Sequence, residues 1–315
     1  MSNDPEFALR YEGALTCATA PAFCRAIEGA FDAPVARLQL NLEEVKHADA
    51  VGLAALLQAA RRARQRGITC SILPSAVVYR ALLRAELLDE LSLQGPGGGP
   101  ETSEVTEAVL DDSAQTPVAA CGRIVLRQPA WDELGLFARW AHEPLLDQMV
   151  GSPLLYHCRH TGPYHPEFVA RALYDPTALT LLIQSTEAGA APVGFVRLHG
   201  IHLVERFAFV ETALGDAGSL RKGWGVEATR LALAYAMDTL ELHRVEAKVY
   251  AYNVPSMNAL RRNGFFLEGS LREARRYDGR RWDVLVFSIL EPEMRAQRAR
   301  DGFPSMSPWP PHADT

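Results

Sequence analysis

The sequence predicts two units of mixed α and β structure, an α/β unit ahead of residue 94 and an α+β unit beyond residue 120, on three observations. Its 315 residues exceed what one hydrophobic core usually organises. The stretch 94–120, QGPGGGPETSEVTEAVLDDSAQTPVAA, joins a Gly/Pro run to acidic and small polar residues, with too little apolar content to offset its ordering entropy. Strand and helix patterns alternate before that stretch, whereas several strand-length apolar runs precede the main helix after it. The expected organisation is therefore a first domain over 1–93, a flexible linker over 94–120, a second domain over 121–295 and a frayed Pro-rich tail over 296–315. A fragment covering about 120–295 is expected to fold alone.

Composition narrows the function classes. Apolar residues make up 48% of the chain and charged residues 22%, near the averages for soluble globular proteins, so both domains can bury a core. A formal net charge of -6 gives no general attraction to phosphate backbones or anionic lipid, which argues against nucleic acid and membranes as partners. No apolar run approaches the ~20 residues that span a bilayer. The start, MSNDPEF, lacks the basic and apolar regions of a signal peptide, so a cytoplasmic location is expected. Cys17, Cys24, Cys70, Cys121 and Cys158 are an odd set without C-x-x-C spacing and read as buried free thiols. His157, His160 and His165 fall in a segment rich in Gly, Pro and Tyr, which reads as a surface loop; no metal site is expected.

In the first domain, residues 36–42 (ARLQLNL) alternate apolar and polar positions as a half-buried strand does. A helix follows over Ala50–Arg66, with Leu53, Leu56, Leu57 and Ala60 at helical spacing and Arg61, Arg62, Arg64 and Arg66 in its last turns, where cations suit the dipole. Gly67 ends it. A strand, ITCSIL, and a helix over about 75–88 complete the alternation. This order, with HADAVGLAALLQAARRARQRG at its centre, resembles the STAS domains of anti-sigma-factor antagonists over about residues 6–92. Phosphorylated members of that family carry a regulatory serine in a D-S-S-G turn. Here the turn is Asp49-Ala50-Val51-Gly52, without a hydroxyl, which points to a constitutive protein-binding or scaffolding module; the expected contact surface is the helix Ala50–Arg66 with its neighbouring loops. Asp49 itself reads as the N-cap of that helix.

In the second domain, 122–127, 179–185, 193–200 and 207–214 read as strands, and 130–140 as a helix, giving a mixed, mostly antiparallel sheet. The segment LGDAGSLRKGWGVEATRLALAYAMDTL then turns from a strand ending at Leu214 into a helix opening near Gly225. Gly223 and Gly225 remove side chains where backbone N–H groups and the helix dipole favour a diphosphate, and Arg221 and Lys222 add positive charge.

The pieces Arg221-Lys222-Gly223-Trp224-Gly225, Leu242-His243-Arg244-Val245, Asn253-Val254-Pro255-Ser256, Asn263-Gly264-Phe265, Glu268-Gly269 and Asp278-Gly279 follow in one order. Together they resemble the GNAT acetyltransferases, specifically the RimJ/RimL type. The resemblance implies an acyltransferase that uses acetyl-CoA as co-substrate and a primary amine as acceptor: a protein N-terminus, a peptide or a small amine. It places Leu214, Gly215 and Asp216 beside the pantetheine arm and acetyl carbonyl. Arg221, Lys222, Gly223, Trp224 and Gly225 would hold the pyrophosphate, and Asn253 and Ser256 would flank the thioester sulfur. Two positions depart from the pattern. Leu260 stands where many members have a proton-donating tyrosine, leaving Ser256 as the acid, and Arg275 stands where a carboxylate base is expected. Glu211, Glu273 and Asp283 are the substitutes, Glu211 foremost. An alternative reading is a non-catalytic, acetyl-CoA-sensing scaffold. Arg261, Arg262, Arg272, Arg275, Arg276, Arg280 and Arg281 form a basic neighbourhood, either a solvated face or a dock for the adenosine phosphates or an acidic substrate. Residues 149–174 and 199–206 are expected to be the loops that shape the acceptor pocket.

Overall fold

Parallel pairing organises the first part of the chain. The computed structural model describes residues 6–31, 34–94, 117–187, 189–215 and 217–302. Most of the expected linker and the chain beyond 302 lie outside the described residues. The elements are β1 (Glu6–Arg10), β2 (Gly13–Leu15), α1 (Ala20–Phe31), β3 (Arg37–Leu42), β4 (Val45–Ala48), α2 (Ala50–Gln65), β5 (Thr69–Pro74) and α3 (Ala76–Arg84). β1, β3 and β5 form a parallel sheet, with Leu9 opposite Leu40 and Leu40 opposite Ile72, and β2 pairs in parallel with β4. Leu38, Leu40 and Leu42 alternate inward along β3, as the two-residue period requires. α3 is shorter than the 75–88 pattern suggested: Glu86 takes a left-handed φ of 57° and a 3₁₀ turn follows over Leu88–Glu90.

Antiparallel pairing dominates the second part. It contains β6 (Pro117–Cys121), β7 (Ile124–Arg127), α4 (Leu134–Ala141), α5 (Pro144–Met149), α6 (Pro153–Thr161), α7 (Pro166–Leu173), β8 (Ala178–Ser185), β9 (Gly194–His202) and β10 (Phe207–Leu214). Then come α8 (Trp224–Ala234), which continues as a π-turn over Tyr235–Thr239, β11 (Arg244–Tyr250), α9 (Val254–Arg262), β12 (Phe266–Tyr277), β13 (Arg280–Leu290) and α10 (Glu291–Asp301). One eight-stranded sheet runs β12-β13-β11-β10-β9-β8-β7-β6. Every neighbouring pair is antiparallel except β10 with β11.

Several expectations are corrected. His157 and His160 lie on α6, not in a loop, and His165 precedes α7, accepting from the Glu167 amide. Much of 149–174 is therefore helical. The residues 117–121 form an edge strand paired with β7, and Gly122 sits in the turn between them. The helix α10 reaches Asp301, so the tail is ordered that far. Among the cysteines, Cys17, Cys24 and Cys158 are buried, but Cys121 is exposed.

The largest correction concerns α2. Every residue from 50 to 60 is buried. A helix buried all round needs cover on more than one side. Its own domain covers one: a Cβ at Gly52 would overlap the Leu15 carbonyl, so only glycine lets α2 lie this close to β2. The other side packs against β8, and a single apolar cluster runs from Leu53 and Leu56 of α2 to Leu181 and Ile183 of β8. Polar ties cross the same boundary. Gln58 Nε2 donates to the Thr239 carbonyl at 2.9 Å, and Cys17 Sγ lies 3.6 Å from the Tyr235 hydroxyl. Arg84 pairs with Asp175 at 3.6 Å, and the rings of His47 and Tyr174 stack with centroids 4.6 Å apart. The surface expected to receive a partner is thus occupied by the chain's own second domain.

Candidate active site

The sheet opens where its one parallel pair ends. β10 and β11 pair only from Phe207 opposite Arg244 to Phe209 opposite Glu246. β10 then stays on β9 as far as Leu214 opposite Gly194, while β11 stays on β13 as far as Tyr250 opposite Val284. Residues 210–214 and 247–250 therefore diverge, and the facing edge of β10 keeps unpaired backbone groups along the wedge.

The N-terminus of α8 lies against the same strand. Thr212 and Thr229 share a hydroxyl hydrogen bond of 2.7 Å, which ties α8 to β10 beyond the last parallel pair. Gly223, with a left-handed φ of 86°, precedes α8 and supplies no side-chain cap. The first amide bonded in the helical ladder is that of Glu227, to the Gly223 carbonyl at 3.1 Å. The N–H groups of Trp224, Gly225 and Val226 thus have no acceptor within the helix, which is the arrangement an anion needs. A Cβ at Gly225 would meet only Leu214 and Thr212, at 3.8–3.9 Å, so packing does not demand this glycine and its bareness leaves the turn open. Arg123 was not anticipated. Its guanidinium pairs with Glu227 at 2.6 Å, donates to the Lys222 carbonyl and lies 4.8 Å over the Trp224 ring, fixing the turn from across the sheet. Leu214 and Gly215 end β10 at the wedge, with Gly215 N bonded to the Val193 carbonyl at 2.7 Å. Arg221 takes a left-handed φ of 61° and, with Lys222, is exposed ahead of the helix. Asp216 lies outside the described residues.

Glu211 sits two residues past the last parallel pair, on the face covered by α4–α7. It lies opposite Arg197 on β9. Its Oε1 is sealed from solvent and has no hydrogen-bond partner. Burial pushes its carboxyl above the usual carboxylate range, against the pull of the Ser152 hydroxyl and the Arg197 guanidinium. Such a group holds a proton more tightly than an exposed glutamate and suits general-base work near neutral pH. The other two candidates differ. Asp283 accepts the Glu273 amide at 2.9 Å and the Ser270 hydroxyl at 2.7 Å, which hold its carboxyl below the usual range. Glu273 is exposed on a bulge with a left-handed φ of 54°. Both are hairpin residues of β12 and β13.

Across the wedge, the start of α9 is tied to the end of α5. The last carbonyls of a helix lack partners within it. Here Arg275 Nη2 reaches the Asp147 carbonyl at 3.3 Å, the Tyr252 hydroxyl donates to that of Gln148 at 2.7 Å, and Asn253 Nδ2 to that of Met149 at 2.9 Å. Asn253 Oδ1 also accepts the Ser256 amide at 3.1 Å, making it the N-cap of α9. Both ends of the Asn253 side chain are therefore committed to holding the loop. Ser256, half-buried in the first turn, uses its amide in this cap, and its hydroxyl projects without a hydrogen bond among the described residues. Leu260 is buried on the same helix.

A mixed sheet that splays between its only parallel strands, with an uncapped helix N-terminus beside the opening, defines an acetyltransferase architecture. Residues 123–266 match the family described as acetyltransferase (GNAT) domain, and residues 2–95 match the STAS domain family. The chain thus carries a STAS domain followed by a GNAT acetyltransferase domain.

Among curated relatives, an uncharacterized N-acetyltransferase p20 of Bacillus licheniformis is 40% identical over 72 residues, which are 23% of this chain and 40% of the relative. The probable N-acetyltransferase YjcK of Bacillus subtilis (strain 168) is 42% identical over the same shares. The chain spans about two fifths of the length of these relatives. Among solved structures, spermidine N-acetyltransferase of Vibrio cholerae with CoA and spermine is 19% identical, with a TM-score of 0.48, over 55% of this chain and 98% of that one. RimJ of Mycobacterium smegmatis with CoA-disulfide is 21% identical, with a TM-score of 0.47, over 59% and 93%. Among the described residues, no helix is long and apolar enough to cross a membrane, and no cluster of His, Cys, Asp and Glu could hold a metal ion.

Proposed function

We propose that the chain is an N-acetyltransferase that moves an acetyl group from acetyl-CoA to a primary amine, with Glu211 as base and Ser256 as acid. The observation that carries this is the position of Glu211: a half-buried carboxylate with one sealed, unpartnered oxygen, just past the point where β10 and β11 part. The wedge and the bare amides at Trp224, Gly225 and Val226 fit the cofactor's two polar parts, the amide-bearing pantetheine arm and the diphosphate. Arg221 and Lys222 add charge there, and Leu214 and Gly215 line the end of the strand. Acetyl-CoA supplies the activated acyl group. Glu211 takes the proton of the attacking amine, and the free hydroxyl of Ser256 returns one to the departing sulfur. Asn253 positions Ser256 through the cap. The STAS domain, over 6–94, takes the acetyltransferase domain, over 117–302, as its first binding partner.

The test is acetyl-CoA-dependent thiol release with the full chain across peptides, polyamines, amino sugars and amino acids. Glu211→Gln should lower kcat/KM by about 100-fold or more with acetyl-CoA affinity retained. Because a base works only when deprotonated, wild-type kcat/KM should fall as pH drops through a value above the ordinary carboxylate range, and the Gln variant should lose that limb. Thiol release by the Gln variant at the wild-type rate would remove Glu211 from the chemistry.

A further inference from the structure

Beyond the base and the cofactor turn, one cation at the mouth of the wedge has a donor to spare. Tyr250, the last residue of β11, begins an aromatic wall. Its ring centroid lies 5.5 Å from that of Tyr252, which in turn lies 4.7 Å from Tyr277 and 5.2 Å from Trp282. Arg275 lies over Tyr250 at 4.6 Å. The Tyr250 hydroxyl lies directly against Gly151, and the next residue, Ser152, bonds Glu211, so the ring under Arg275 reaches towards the candidate base.

Arg275 is incompletely satisfied. Its Nε has no hydrogen-bond partner, while Nη2 reaches the Asp147 carbonyl at 3.3 Å and the guanidinium also meets the Tyr252 hydroxyl. The nearby carboxylates are engaged elsewhere: Asp147 pairs with Arg159 at 3.1 Å, and Asp283 is held by Ser270 and the Glu273 amide. Arg272, Arg276, Arg280 and Arg281 are exposed on the same hairpin and add positive charge. The guanidinium is half-buried, one sealed donor lacks an acceptor, and its planar fork matches a carboxylate. A purely cationic acceptor would meet like charge at this point.

We infer that the amine acceptor also bears a carboxylate, and that Arg275 binds it while Glu211 faces the amine. The inference rests on the acetyl-transfer reading for the identity of the site. Two matched pairs isolate the carboxylate: ornithine against putrescine, and tyrosine against tyramine. Each amine is assayed for turnover with acetyl-CoA and titrated calorimetrically onto the full chain saturated with CoA. At least one amino acid should exceed its decarboxylated partner by about tenfold or more, as a charge-assisted contact allows. Arg275→Met should abolish that preference, Arg275→Lys should restore part of it, and acetyl-CoA affinity and melting temperature should hold in both. Equal responses within both pairs, including no response to any, overturn the inference. So does a Met variant that melts lower and loses both members of a pair alike, since Arg275 would then serve only to cap α5. Amino-acid-selective binding without thiol release from any amine would leave the carboxylate site standing and sink the transfer reading.

Discussion

The two domains each open their central helix beside a β-strand, but the two helix starts are built in opposite ways. At α2, Asp49 accepts the amides of Val51 and Gly52, both at 2.9 Å, and that of Cys17 at 2.8 Å, while Gln128 from the second domain donates to it at 3.3 Å. Asp49 is 1% exposed and Val51 0%. At α8, Gly223 caps nothing and the amides ahead of Glu227 have no acceptor within the helix. A helix dipole alone does not make an anion site; the amides must also lack an internal acceptor and be reachable. The turn 49–52 fails both conditions, and the turn 221–225 meets them. The same contrast explains why a kinase finds no target at the first turn even if a hydroxyl were restored there, since position 51 is covered by protein on every side.

Removing the first domain should break the comparison most severely. A fragment starting at Pro117 would expose the face of β8 and the π-turn that α2 covers, so it should aggregate or melt without cooperativity, as size-exclusion chromatography and circular dichroism would record. A monomeric fragment melting with the full chain would show the domains to be independent after all. Next in size, Asp49→Ala leaves three buried amides without their acceptor and should destabilise the chain by about 3 kcal/mol at pH 7 in urea titrations. Burial lifts the Asp49 carboxyl to about 6, against the amides of Gly52, Cys17 and Val51 and the Gln128 side chain. The folded wild type therefore binds this proton before the unfolded chain does, and the group's contribution to stability declines as pH rises towards 6. The deficit of the Ala variant should accordingly widen on acidification from pH 7 to 5; a constant deficit would mean Asp49 titrates normally. The smallest effect belongs to Gly223→Val, where a branched residue at φ 86° is strained and its Cβ would come within 2.9 Å of Arg123 Nη2. Acetyl-CoA binding should weaken roughly thirtyfold, about 2 kcal/mol, with stability nearly unchanged in Asp49's domain. An unaltered dissociation constant would move the diphosphate away from α8.

Local patterns made much of this legible. The strand Phe207–Leu214, the Asp49 cap and the bare turn before α8 follow from residue types a few positions apart. Alternation in FAFVETAL also puts Glu211 in phase with Phe207 and Phe209, a sign that its carboxylate points to a covered face. The helices α6 and α7 were missed because Pro153 and Pro166 read as breakers, whereas each occupies a first-turn position where its missing N–H does no harm. Ser152 even caps α6 through the Leu155 amide at 3.3 Å. The apolar periodicity of α2 was seen, but its nearly complete burial was not, because the small Ala residues between the leucines hide a second buried face. Arg123 with Glu227, Gln58 with Thr239, and Arg275 with Asp147 meet across more than a hundred residues of chain, beyond the reach of any local pattern.

The π-turn at the end of α8 has a mechanical meaning. A π-turn holds one residue more than the α repeat requires, and its wider loop points a carbonyl where an ordinary helix would have bonded it internally. Here Leu240 N returns to the Tyr235 carbonyl at 3.2 Å, and the Thr239 carbonyl is left to Gln58. The rod whose first turn leaves its amides uncapped thus ends in a socket for the neighbouring domain, with its register set by a single surplus residue. Excising one residue between 235 and 239 would wind that end back by about 100°, the turn of one helical residue, and swing the Thr239 carbonyl out of reach of Gln58. Through that one insertion, the seating of the first domain and the pitch of α8 become a single adjustment.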